Sequence, residues 1–279
     1  MGRIPTITFS TGATMPQLGF GVWQVADDEA EAVVAEALKV GYRSIDTAQM
    51  YRNESGVGRA LAASDVDRAD VFLTTKLDND AHGYDEAQRA FDESLKRLHT
   101  DYVDLFLIHW PLPAADRYVE TWRALNEIRR SGRAKSIGVS NFTAEHLQRL
   151  IDDTGVAPVI DQIELHPYFQ QRDMRSFNSQ HGIATEAWSP LGQGGDVLTD
   201  PVIVGIAARL DVSPAQVVIA WHLAIGNVVI PKSVTPSRIA ENFAAADVSL
   251  TAADLAAIEA LDRATGRIGP DPDSVGGPS

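Results

Sequence analysis

Residues 44–54 read SIDTAQMYRNE, and with VFLTTKL (71–77) and VDLFLIHWP (103–111) they decide how this chain folds. Each segment holds a short apolar run of the length of a buried strand, and the three runs end on Asp46, Lys76 and His109. Tyr51 follows in the loop after the first. Parallel strands wound into a barrel present their carboxyl ends at one mouth, so these four side chains are expected to meet there. A phenol with an unperturbed pKa of about 10 is a poor acid at neutral pH. A neighbouring Lys76 ammonium is expected to lower that pKa, with Asp46 keeping Lys76 charged and His109 donating a second hydrogen bond to the same substrate oxygen. Such donors stabilise the negative charge that grows on a carbonyl oxygen as hydride arrives.

Outward from these segments the chain alternates β-branched runs with stretches of helical period, the pattern of a parallel sheet wrapped by helices. Strands are predicted at 19–22, 43–46, 71–76, 103–109, 135–139, 159–164, 184–188 and 228–231; eight is the number of a (β/α)8 TIM barrel. Helices are predicted at 28–40, 54–63, 85–98, 117–130, 144–152, 172–180, 201–210 with 214–225, and 236–245, with an extra C-terminal helix at 251–260. Before the first strand, TITFSTGATMPQLG reads as a β-hairpin turning at Thr11 and Gly12 that caps the bottom of the barrel. No linker composition interrupts the chain, so 1–279 is read as one domain. Its Gly- and Pro-rich tail, 266–279, is expected to be irregular and either to lie over the barrel mouth or to be disordered.

With 279 residues, 44% of them hydrophobic, the chain can bury a large core. A formal charge of −14 argues against nucleic acid or an anionic membrane as partner. No apolar run reaches the roughly 20 residues of a membrane span, and MGRIPTITFS lacks the apolar stretch of a signal peptide, so a cytoplasmic protein is expected. The absence of cysteine excludes disulfides and thiolate chemistry.

GFGVWQ (19–24) has Gln24 where a Rossmann fingerprint needs its third glycine. A barrel instead tends to hold phosphate with the loops after its last two strands, where SPLGQGG (189–195) and PKSVTPSRIAEN (231–242) lie. Lys232 and Arg238 form a basic island there, and Pro236 marks a helix start whose free N–H groups, with Ser233, can face an anion.

GFGVW, SIDTAQMYRNE, TTKL, DLFLIHWP, IGVSNF, DQIELHPYFQQ, AWSPLGQG and IPKSVTPSRIAENF occur in this order from the hairpin to about Ile268. In these pieces the chain closely resembles the aldo-keto reductases, especially bacterial members that include 2,5-diketo-D-gluconate reductases. The resemblance implies an NADPH-dependent reductase of aldehydes and ketones, monomeric by family tendency, with Asp46, Tyr51, Lys76 and His109 as catalytic tetrad and Tyr51 as general acid. It implies that Ser140, Asn141 and Gln162 hold the nicotinamide carboxamide, that Trp188 stacks under the ring where tyrosine is commoner, and that Leu191 and Gly192, after Ser189, cover the pyrophosphate. Lys232, Ser233 and Arg238 match the clamp on the 2′-phosphate, and Glu241 and Asn242 the adenine contacts. Trp23 and Trp110, with Tyr51 and His109, are expected to wall the substrate pocket. Two departures bear on the substrate: Asp78 replaces a common aromatic near the mouth, where it either disfavours carboxylated substrates or points into solvent or caps a neighbouring turn with Asn79, and the long C-terminal loop of the animal enzymes is missing.

Blander readings stand beside these. Asp46 with Lys76 could be a structural ion pair, Tyr51 a packed loop aromatic, His109 a core histidine, and Lys232 with Arg238 a solvated face; all would have to hold together at one end of one barrel. His82, His99, His146, His181 and His222 are read as structural or surface. His166 beside Glu164 invites a metal, but no HxH pair occurs and Pro167 points to a turn, so no metal site is expected. A Schiff base at Lys76 is disfavoured because Asp46 keeps the amine protonated. The alternative from another class is a non-catalytic, NADPH-binding regulatory subunit.

Overall fold

Strands that pair only with their sequence neighbours, all parallel and eight in number, build the sheet of the computed structural model, which describes residues 4–276. It is preceded by an antiparallel hairpin of β1 (Thr6–Thr8) and β2 (Thr14–Pro16). The eight are β3 (Phe20–Gly21), β4 (Ser44–Asp46), β5 (Phe72–Leu77), β6 (Val103–Ile108), β7 (Ala134–Ser140), β8 (Ile160–Glu164), β9 (Ala184–Trp188) and β10 (Val228–Val229). The first and last meet as well. Val229 donates its N–H to Gln17 O at 2.8 Å and accepts from Gly19 N at 2.9 Å, so the sheet closes into the expected (β/α)8 barrel.

Helices wrap it: α1 (Asp27–Val40), α2 (Glu54–Ala63), α3 (Tyr84–Arg97), α4 (Tyr118–Arg130), α5 (Ala144–Thr154), α6 (Arg172–Gln180), α7 (Pro201–Leu210), α8 (Pro214–Ala224), α9 (Pro236–Ala244) and the additional α10 (Ala252–Glu259). Their starts are written in the sequence. Thr143, Ser213 and Thr251 each form a capping box with the residue three positions on, and α7, α8 and α9 open on proline, which has no N–H to leave unsatisfied. The seam strands are shorter than 19–22 and 228–231 because the ladder there reduces to single bonds; Pro231 can only accept, from Gly21 N at 3.2 Å.

The hairpin turns where Gly12 adopts φ +86°, a conformation that glycine takes without strain. Phe9 and Met15 are buried there against Leu105, Leu107, Val159, Ile160 and Val228, so the hairpin seals the bottom of the barrel. Among the described residues no single helix is long and apolar enough to cross a membrane. Of the tail, residues 266–276 form no helix or strand and run over the mouth; 277–279, like 1–3, lie outside the described residues.

Phe9→Ala should cost about 3–5 kcal/mol of unfolding free energy, the usual range for emptying a buried aromatic site. Urea unfolding checks this, and the mouth, at the opposite end, should keep its ligand affinity.

Candidate active site

The loop 47–54 is held by its own side chains. Asn53, fully buried, donates to Val22 O at 2.9 Å and Val25 O at 2.8 Å and accepts from Thr47 Oγ1 at 2.7 Å. Gln49 donates to Ala90 O and Ser94 Oγ and accepts from Asp78 N, while Glu54 takes Thr75 Oγ1 at 2.6 Å and the Arg97 guanidinium at 2.7 Å. The chain passes Arg52 in the left-handed region at φ +56°. These bonds aim Tyr51 at the mouth.

Lys76 is completely buried. Its Nζ donates to Asp46 Oδ1 at 2.5 Å, to Thr47 O at 3.0 Å and to Tyr51 Oη at 3.4 Å. Burial works against the ammonium, but Asp46 and Tyr51 more than offset it and hold Lys76 above its ordinary pKa. The Tyr51 ring meets the His109 ring edge-on, centroids 5.5 Å apart. The four predicted residues therefore meet. One expectation is corrected: burial raises the Tyr51 pKa above its ordinary value, and Lys76 opposes that rise without overcoming it. Burial, then the Lys76 charge, hold His109 well below the usual imidazole range, so its ring is neutral.

Asp46, Tyr51 and His109 line a cavity of about 990 Å³, with Lys76 buried behind them. Trp23, Met50, Asn79 and Trp110 line the part near Tyr51 and His109; Ser140, Asn141, Gln162 and Trp188 follow; Ser189, Leu191, Lys232, Ser233, Arg238, Glu241 and Asn242 line the far part. Gly192 lies in the same loop, at φ +59°. Asn141 is fixed from both sides, donating to His109 O at 2.9 Å and accepting from Trp188 Nε1 at 2.7 Å. Gln162 Nε2 donates to Asp46 Oδ2 and to Glu186 Oε2, each at 2.9 Å, so this amide nitrogen also orients the carboxylate beside Lys76. Lys232 and Arg238 are exposed and form no ion pair among the described residues.

Three features escaped the sequence. Glu186 is buried in the barrel beside Asp46, although ATEAW looks like an ordinary polar alternation. The Glu164 carboxylate accepts from Ile268 N and Gly269 N, both at 2.7 Å, and so ties the tail across the mouth. Gly269 lies so near the Trp188 edge that a Cβ there would meet it at 2.5 Å. Ser213–Ala215, at the start of α8, also line the cavity. Asp78 follows the second of its two readings: it caps the turn 79–81 by accepting from Asn79 N at 2.8 Å, it also pairs with Arg52 at 3.2 Å, and it is absent from the cavity lining. His166 Nε2 stands 3.1 Å from Glu164 Oε1, and among the described residues no cluster suited to a metal ion occurs.

A buried ammonium under a phenol, at the carboxyl mouth of a barrel whose cavity leads on to unpaired cations, defines a barrel enzyme that handles an anionic cofactor or substrate. The model of the Aldo/keto reductase family matches residues 15–263, and the chain belongs to that family. It is 53% identical over 278 residues to methylglyoxal reductase DkgA of Escherichia coli strain K12, covering 99% of this chain and 100% of that one. Among solved structures, an aldo/keto reductase from Brucella melitensis shares 55% identity at TM-score 0.92 (94% of this chain, 99% of that chain). A mutant of Gox0644 in complex with NADPH shares 54% identity at TM-score 0.95 (98% and 99%).

Asp46→Asn should destabilise the fold by about 3–5 kcal/mol, because it leaves the buried Lys76 charge without its counter-ion. Denaturant unfolding measures it; a loss below about 1 kcal/mol would mean that solvent reaches Lys76.

Proposed function

We propose that this chain reduces small aldehydes and ketones, dicarbonyls and keto sugars among them, with Tyr51 as the general acid. Family membership makes it an NADP-dependent oxidoreductase. The observation that carries the finer reading is the buried Lys76 ammonium, bonded at once to Asp46 and to the oxygen of Tyr51, which itself lines the same cavity as Lys232 and Arg238. The name of the E. coli relative supports dicarbonyls as substrates.

The donor set fits NADPH. Two exposed cations without ion-pair partners, with Ser233 between them, suit a phosphate monoester at one end of the cavity, and the Trp188 indole and the amides of Asn141 and Gln162 suit a flat ring with a carboxamide nearer Tyr51. The bound coenzyme supplies the hydride. Lys76 donates into the Tyr51 oxygen, which leaves the phenol proton to point toward the substrate oxygen. His109, neutral, offers a second hydrogen bond to the same atom. Trp23, Met50 and Trp110 provide apolar walls that exclude water from the reacting carbonyl. As the oxygen becomes negative, the Tyr51 proton moves to it and the Lys76 ammonium stabilises the phenolate left behind.

Tyr51→Phe should lower carbonyl turnover by about 10²- to 10⁴-fold while leaving NADPH affinity nearly unchanged; stopped-flow turnover and fluorescence titration separate the two, and retention of more than about a tenth of the rate removes Tyr51 from the role. Lys232→Met and Arg238→Ala should each weaken NADPH by roughly tenfold to a hundredfold and NADH far less. Equal weakening of both coenzymes in titrations would misplace the clamp.

A further inference from the structure

Glu186 sits opposite Gln162 in the β8–β9 ladder, with no solvent exposure, and is joined to the tetrad through the Gln162 amide that also holds Asp46, yet it has no role in the reaction above. Gln162 Nε2 is shared between Glu186 Oε2 and Asp46 Oδ2, while Glu186 Oε1 has no hydrogen-bond partner among the described residues. Two carboxyl groups thus straddle one amide nitrogen, with a single ammonium, Lys76, already bonded to Asp46. A second bare carboxylate there would lack both water and a counter-ion, and an acid that keeps its proton removes that cost.

We propose, on the reading that this is a carbonyl reductase, that Glu186 is a positioning residue: a proton-holding carboxyl group that fixes Asp46 through the shared Gln162 amide and, once ionised, weakens the acid of the site. Burial, with the Asp46 charge adding to it, pushes the Glu186 carboxyl up to about 8, against the Gln162 hydrogen bond and Lys76. The charged and titratable groups around it are Asp46 on β4, Tyr51 in the following loop and Lys76 on β5, with His109 beyond Lys76. An ionised Glu186 makes Tyr51 hold its proton more tightly and repels the charge that grows on the substrate oxygen. Both effects slow reduction.

The test compares wild type with Glu186→Gln, whose neutral amide fills the same space, and with Glu186→Ala. Wild-type kcat/KM for a neutral dicarbonyl at saturating NADPH should fall on the order of tenfold through about pH 8, and the Gln variant should lack that limb. Glu186→Ala should lower kcat on the order of tenfold at neutral pH, with Gln recovering most of the loss. Thermal melts read the held proton without turnover. The unfolded chain releases it in the ordinary carboxylate range and the folded chain only above it, so wild-type stability falls with pH between the two; the Tm advantage of Gln over wild type should grow from about pH 5 to about pH 8 and then level. Superimposable pH profiles of wild type and Gln, a pH-independent Tm difference, or an Ala variant as fast as wild type would each overturn the proposal. No turnover in any variant, wild type included, would overturn the reductase reading alone, and the melts would then decide the Glu186 proton by themselves: a Tm advantage of Gln that grows with pH upholds it, and a pH-independent one overturns it.

Discussion

An ammonium group with no access to water is the constraint from which the rest of this site follows. Lys76 can stay charged only because Asp46, the Thr47 carbonyl and the Tyr51 oxygen take the place of its hydration. Asp46 then needs a partner for its second oxygen, which Gln162 supplies, and Gln162 reaches on to Glu186. The groups come from β4, β5, β8 and β9, spread around the sheet, so the network forms only when the barrel closes. In this way the bonds between Val229 and Gln17 and Gly19, remote from any chemistry, are a condition of the charge at the mouth.

The loop carrying Tyr51 is the second consequence. A phenol that must point at one substrate atom cannot sit on a mobile loop, and 47–54 is anchored to the loop after β3, to α3 and to β5 through Asn53, Gln49 and Glu54. Most of SIDTAQMYRNE is therefore scaffolding for one side chain. The far part of the cavity is built differently: Lys232 and Arg238 are exposed cations, a composition suited to a ligand that brings its own charge.

What the sequence makes legible is whatever a short window determines. Buried strands announce themselves as β-branched runs, helices by Pro236 or by the Thr143 and Ser213 caps, the hairpin by Thr11–Gly12, and the tetrad by polar residues that end apolar runs. Contacts between distant segments leave no such mark. Glu164 meets Ile268 across 104 positions, and Asp78 is neutralised by Arg52, a partner that sequence spacing does not single out. Glu186 is hidden for another reason: a polar residue inside a strand reads as facing water, whereas in a closed barrel the alternate face points into the interior. The same limit applies to acidity. The neighbour that lowers the Tyr51 pKa is readable from sequence, but the burial that outweighs it belongs to the folded chain.

That outcome changes how the acid should be understood. A phenol whose pKa were simply depressed would be ionised part of the time and would have no proton to give. Here burial keeps Tyr51 protonated and His109 neutral, while Lys76 stays charged. In the proposed reaction the substrate oxygen would face neutral donors backed by one fixed cation, an arrangement that gains most as negative charge appears on it. The low dielectric that makes phenolate unfavourable at rest strengthens its attraction to Lys76 once the proton has left, because the ammonium is already 3.4 Å away and needs no reorganisation. Burial and the ammonium therefore act at different moments of the proposed reaction: the first holds the proton until a carbonyl is present, and the second stabilises the anion that remains after its transfer.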